Sequence, residues 1–188
     1  PNAYHHLVQS LKDQGKKVYE LHPGGSDSIG ALGYLDAFNQ ILRYSHSSGV
    51  HFHQIIHATG STGTQAGLLL GQCISKYDTQ IIGVAVSQKA EVQSKRVQAL
   101  ALSTAQMLNI EFDETKIIVD DKFVGPGYAI PSEEGENAVK IFTSMEGILL
   151  DPVYTSKAAA GILHYATNKM LEGNVLFIHT GGNSGLFY

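Results

Sequence analysis

At 188 residues, with 43% hydrophobic and 16% charged side chains, the chain is long enough to bury a real core and form one domain, or one large domain with a fragment of another. A net charge of −4 gives no electrostatic footing for nucleic acid or an anionic membrane, and no apolar run has the length of a bilayer span or the pattern of a signal peptide. The single cysteine, Cys73, excludes an internal disulfide and fits a reducing compartment, so a cytoplasmic location is expected.

The first periodic stretch is Tyr4, Leu7, Val8 and Leu11, spaced as on a helix, with Gly15 suited to its exit. Lys17–Leu21 alternates like a strand and runs into His22-Pro-Gly-Gly-Ser26, a turn. Helical spacing returns from Gly30 to Tyr44 through Ala31, Leu35, Phe38 and Leu42, and Ser45 to Gly49 reads as a linker. The segment Gln54-Ile-Ile-His-Ala-Thr-Gly-Ser-Thr-Gly-Thr-Gln-Ala-Gly67 then reads as a strand, a small-residue turn and a helix start. From there helices and short apolar strands alternate. Helix Gln65–Lys76 precedes strand Gln80–Val86, and helix Glu91–Leu108 precedes Lys116–Val119. Helix Glu133–Met145 precedes Gly147–Leu150, and helix Ser156–Leu171 precedes Asn174–His179. Strands apolar on both sides and joined by helices predict an α/β fold: a mostly parallel sheet with helices on both faces, in three layers.

Ligands of such sheets gather at the carboxyl ends of the strands. There the turn Thr59–Gly67 holds three glycines among hydroxyl and amide side chains. Its backbone N–H groups can converge, and the helix start adds partial positive charge, so a phosphate is the natural guest. No Gly-Lys-Ser/Thr follows, which excludes a Walker loop, and the spacing Gly60, Gly63, Gly67 without an acid between Gln80 and Ala90 makes a poor dinucleotide fingerprint. The bland alternative is a tight turn that holds nothing.

The remaining loops at that rim offer Tyr128, after Val124-Gly-Pro-Gly, and Tyr154, after Asp151-Pro-Val. Each phenol suits holding a carboxylate or relaying a proton; each equally suits packing under its loop. Thr180, before Gly181 and Gly182, can point a hydroxyl along the rim. His51 and His53 share a face but have no third ligand spaced near them, so no metal is expected. Cys73 among leucines reads as a core residue, Lys157 in a helix's first turn as solvent-facing, His5-His6 as a solvated helix start, and Ser132 before Glu133-Glu134 as a helix cap.

Taken in order, His22-Pro-Gly-Gly-Ser26 with Gly30-Ala-Leu-Gly-Tyr34, Ala58 to Gly67, Val86-Ser-Gln-Lys-Ala-Glu91, Val124-Gly-Pro-Gly-Tyr128, Glu146-Gly-Ile-Leu-Leu-Asp-Pro-Val-Tyr154 and Phe177-Ile-His-Thr-Gly-Gly182 resemble the D-cysteine desulfhydrase and 1-aminocyclopropane-1-carboxylate deaminase family. The resemblance runs from about Leu21 to the C-terminus. It implies a pyridoxal 5′-phosphate enzyme of the tryptophan-synthase-β fold type, an amino-acid substrate and, at full length, a homodimer. It gives the phosphate to Gly60, Ser61, Thr62, Gly63 and Thr64, the pyridine nitrogen to Thr180 beside Gly181, and the substrate to Tyr128 and Tyr154. Thr62 stands where a glycine is more usual. The deaminase branch is expected to carry Glu after the second tyrosine and Leu before the last Gly-Gly; Thr155 and Thr180 point instead to elimination from D-cysteine, giving hydrogen sulfide, pyruvate and ammonia. The cofactor-bonding lysine of the family lies in an N-terminal segment that nothing before Leu21 resembles, and the chain opens Pro-Asn-Ala without a methionine. Residues 1–21 are thus expected to be the tail of a smaller domain and residues 22–188 most of the cofactor domain, an incomplete fold that does not turn over substrate alone. The competing expectations are a phosphate-ligand binder without catalysis and a nucleotide-binding α/β domain.

Overall fold

The computed structural model describes residues 2–187. Helix α1 (Asn2–Asp13) leads through extended chain and a tight turn at Pro23–Gly25 to α2 (Ala31–Ser48) and β1 (Phe52–Thr59). Then come α3 (Gly63–Ser75), β2 (Gln80–Ala85), α4 (Ala90–Leu108), β3 (Ile118–Asp120), α5 (Glu133–Glu146), α6 (Thr155–Thr167) and β4 (Asn174–Ile178). The strands form one parallel sheet in the order β3-β2-β1-β4.

Successive side chains of a strand face opposite ways, and β1 is apolar on both sides. Ile55 packs among Phe38 of α2, Leu68 and Leu69 of α3 and Val97 of α4. Its neighbour Ile56 packs among Ala138 of α5 and Ala158 and Ala159 of α6. The expected three layers follow directly from this alternation. Connections through α3 and α4 step from β1 to β2 to β3, whereas β4 pairs with the other side of β1, His57 opposite Ile178. The strand order therefore reverses between β1 and β4, and their carboxyl ends flank the crevice where such sheets hold ligands.

Two expected strands do not form. Lys17–Leu21 joins no sheet; Tyr19 and Leu21 are exposed, and Glu20 pairs with Lys12 at 2.9 Å. Alternation supplies a strand's side chains but not the neighbour its backbone must bond to. Gly147–Leu150 is irregular because its backbone groups are already engaged: Ile148 N–H donates to Phe142 O at 3.2 Å, and Leu149 O accepts from the His179 ring at 2.8 Å. The expected linker at Ser45 is helical instead, since the Ser47 and Ser48 hydroxyls bond back to Tyr44 O and α2 ends only at Gly49, φ 70°. Helix α6 stops at Thr167, short of the expected Leu171, where the chain turns through Lys169 at φ 56°.

Candidate active site

The turn between β1 and α3 is fixed from beneath. Gln93 of α4, fully buried, places Nε2 3.1 Å from both Thr59 Oγ1 and Gly60 O. Thr62 is held at φ 83°, a left-handed conformation that a β-branched residue enters only under strain, which accounts for a glycine being at home there. Its side chain makes no cap bond to α3, so the first-turn N–H groups of that helix are left without an intrahelical or capping acceptor. Gly63 is the exception, its N–H donating to Ser26 Oγ at 3.2 Å, which ties the Pro23–Gly25 turn to the cup.

A cavity of about 660 Å³ opens over this helix start. Gly60, Ser61, Thr62 and Thr64 line one side, Thr180 beyond β4 lines another, and Tyr128 and Tyr154 complete the wall. Gly63 and Gly181 lie outside that lining. The two phenols come from different loops and meet hydroxyl to hydroxyl, their rings edge to face with centroids 6.1 Å apart. The bond to Tyr128, with partial burial, pushes the Tyr154 phenol up to about 12, so it stays protonated at neutral pH. Arg96 is the one cationic side chain in the lining; its Nη1 lies 3.3 Å from Gly60 O.

The Tyr154 loop is shaped by Asp151, 1% exposed. Its carboxylate accepts the N–H groups of Val153, Tyr154 and Thr155 at 2.8 Å and the Thr155 hydroxyl at 2.7 Å. Thr155 is spent on this network, so of the two branch-marking positions only Thr180 reaches the cavity. Gly182 is a packing requirement, because a Cβ there would stand 2.5 Å from the Asp151 carboxyl carbon.

Two expectations are corrected. Lys157 is not solvent-facing but fully buried, its ammonium on backbone carbonyls. Cys73 is only half-buried, with Sγ 3.0 Å from Glu111 O. Ser132 does cap α5, accepting Gly135 N–H at 3.1 Å. Among the described residues no group of three or more His, Cys, Asp or Glu side chains is placed to hold a metal. His51 and His53 stack edge to face, and His53 Nδ1 accepts from Asn174 N–H. No helix among them is long and apolar enough to cross a membrane.

Sequence reasoning missed Gln93, Asp151 and Arg96 and misplaced Lys157. Only Asp151 carried a signal, an acid four residues before a helix, as in a cap.

An uncapped helix start, several hydroxyls and a second hydroxyl across a switch-point crevice define a domain that takes a small phosphorylated compound. The donors that line the cavity fit the phosphate and ring of pyridoxal 5′-phosphate in kind. The chain belongs to the pyridoxal-phosphate dependent enzyme family, which it matches over residues 1–181. It is 39% identical over 183 residues to a D-cysteine desulfhydrase of Klebsiella pneumoniae subsp. pneumoniae, covering 96% of this chain and 55% of that protein. The crystal structure of an ACC deaminase homologue superimposes with a TM-score of 0.88 at 35% identity, over 96% of this chain and 54% of the other. A hydrogen sulfide-producing enzyme from Fusobacterium nucleatum, TM-score 0.58 at 16% identity over 96% and 58% of the two chains, shares the fold alone. The chain thus spans about half the length of the curated relatives it matches.

Proposed function

We propose that this chain is the greater part of the cofactor domain of an enzyme that eliminates hydrogen sulfide from D-cysteine, leaving pyruvate and ammonia. The observation carrying the reading is the shared cavity: the α3 helix start, Thr180 and the two phenols face one space at the β1/β4 crevice. The likeness to D-cysteine desulfhydrase supports the substrate.

When bound, the cofactor supplies an electron sink that acidifies the substrate's α-hydrogen. The side chains of this chain do the rest of the work around it. Hydroxyls of Ser61, Thr62 and Thr64 and the first N–H groups of α3 hold the phosphate, with Arg96 adding charge at the lip. Thr180 offers the ring nitrogen a neutral hydroxyl, which withdraws less electron density than a charged partner and favours expulsion of the β-substituent. Tyr128 and Tyr154, hydrogen-bonded hydroxyl to hydroxyl, face the substrate; the Tyr154 phenol remains protonated at working pH.

No lysine is among the residues lining the cavity. The nucleophilic amine that family chemistry requires must therefore come from elsewhere, and this chain alone is expected to bind without turnover. Titrating it with pyridoxal phosphate, ATP and NAD tests the cofactor assignment: saturable binding of the first only is expected, and preference for a nucleotide overturns it. The same protein with D-cysteine is expected to release no sustained pyruvate. In the full-length enzyme, sulfide with pyruvate from D-cysteine is expected; ammonia from 1-aminocyclopropane-1-carboxylate without sulfide from D-cysteine would reverse the substrate assignment.

A further inference from the structure

Lys157 occupies a position that electrostatics disfavours three times over. It is fully buried, it has no carboxylate within ion-pair distance among the described residues, and it sits in the first turn of α6, where the helix dipole repels a cation. Burial lowers its pKa from the ordinary lysine value. What compensates is a convergence of carbonyl oxygens: Gly127 O at 2.7 Å, Val124 O at 2.8 Å and Val86 O at 3.4 Å. An ammonium has three N–H donors and no acceptor, so it matches three carbonyls and nothing is left over. A neutral apolar side chain of the same length would leave the buried Val86 oxygen and the half-buried Val124 and Gly127 oxygens without this donor.

The carbonyls belong to the segments that build the cavity wall. Val86 follows β2 and precedes Ser87 and Gln88, which line the cavity; Val124 and Gly127 belong to the loop that ends in Tyr128. That loop has little of its own to hold it. Gly125, Gly127 and Ala129 all have positive φ (64°, 154° and 59°), and its internal backbone bonds, Val124 N–H to Asp121 O and Ile130 N–H to Gly127 O, are both 3.4 Å long. The two lysine bonds are the short ones. Tyr154 and Lys157 are three residues apart, neighbours at the start of α6. The phenol at the cap of α6 meets Tyr128 directly, and the ammonium beside it grips the backbone that carries Tyr128.

We propose that Lys157 is a positioning residue: its ammonium draws the carbonyls of Val86, Val124 and Gly127 together and thereby fixes Tyr128 against Tyr154 on the cavity wall. This rests on the reading of those tyrosines as substrate-facing, but its geometry does not depend on which compound is bound. Lys157 is not among the residues lining the cavity, so it acts through the loop and not on the substrate.

The test uses the 188-residue chain with Lys157→Met, which keeps length and removes all donors, and Lys157→Gln, which keeps two. In Lys157→Met, amide hydrogen exchange across residues 121–131 is expected to quicken about tenfold or more while β1 and α3 keep their protection. Lys157→Gln is expected to fall between the two. Tyrosine ionisation followed at 295 nm gives a second readout. The Tyr154 phenol, held up to about 12 chiefly by its bond to Tyr128, is expected to ionise at a lower pH in Lys157→Met, while Tyr165, raised by burial and Asp120, is unaffected. Tyr154→Phe in the parent identifies that phenol. Unchanged exchange in the loop, or exchange that rises equally in β1, would overturn the proposal, the latter by making the lysine a general support of the fold. Pyridoxal phosphate titration of the parent separates the two claims, since failure to bind defeats the functional reading and leaves the loop measurement standing.

Discussion

The seating of α3 against α2 determines where the helix start, and hence the cup, lies, and it can be probed at one atom. Gly67 is inside α3 and not in the turn. A Cβ on it would stand 2.6 Å from Tyr34 Cβ and 2.9 Å from Leu35 N, and closer still to Ala31 O, so two of the three obstacles are backbone of α2. Helix propensity alone favours Gly67→Ala by about 1 kcal/mol. Overpacking against backbone that cannot rotate away costs about 3 kcal/mol, the top of the usual range, and the net loss is about 2 kcal/mol. For a chain of this size that lowers the melting temperature by roughly 4–8 °C. Gly33→Ala is the control: it lies in α2 with nothing within 4 Å of an added Cβ, and the propensity gain, up to about 1 kcal/mol, is expected to raise the melting temperature by about 2–4 °C. Gly71→Ala is expected to cost about as much as Gly67→Ala, because its nearest obstacle, Phe38 Cβ at 2.5 Å, is fixed to the α2 backbone and the ring beyond it is fully buried. Calorimetry of the three variants measures the order. If Gly67→Ala proved as stabilising as Gly33→Ala, the α2–α3 contact described above would be wrong.

Two further outcomes can be measured by urea unfolding. His57 is fully buried with Nε2 unpartnered, and burial holds its pKa near 4 against 6.5 in the unfolded chain. Between those values the unfolded state binds a proton that the folded state refuses, so stability falls as pH drops from 6.5 to 4, by up to about 3 kcal/mol. His57→Asn is expected to flatten that slope, and an unchanged slope would clear His57 of it. Asp151→Ala strands the N–H groups of Val153, Tyr154 and Thr155 and is expected to cost about 3 kcal/mol; a loss below about 1 kcal/mol would mean that water replaces the carboxylate.

The layers, the parallel strands and the small-residue turn after β1 were legible in the sequence because each rests on a local pattern. Ile55 and Ile56 announce two covered faces, and the glycine-hydroxyl run Gly60 to Thr64 announces a small-residue turn. What was not legible depends on groups distant in the chain. Lys17–Leu21 alternates as well as any strand, but no neighbour comes to pair with it. Gly67 looked like the third glycine of a ligand turn, yet its space is taken by α2. Lys157 reads as an ordinary surface lysine until Val86, Val124 and Gly127, up to 71 positions away, are brought around it.

The two halves of the cavity are therefore built on different physics. The cup side is continuous with the core: β1 and α3 bury Ile55, Leu68 and Leu69, so apolar burial sets the position of the helix start. The tyrosine side is irregular backbone with little apolar surface to bury, since Gly125, Pro126, Tyr128 and Ala129 are all exposed. Hydrophobic packing holds this segment only at its flanks, through Phe123 and the ring of Tyr154. Order there comes from two buried charges at the start of α6, Asp151 collecting N–H groups and Lys157 collecting carbonyls, each spent on backbone and neither on the other. A charge with several partners fixes direction as well as distance, which burial alone does not. It follows that substitutions in the core will change how stable the protein is, whereas substitutions at these two residues will also change where the phenols stand.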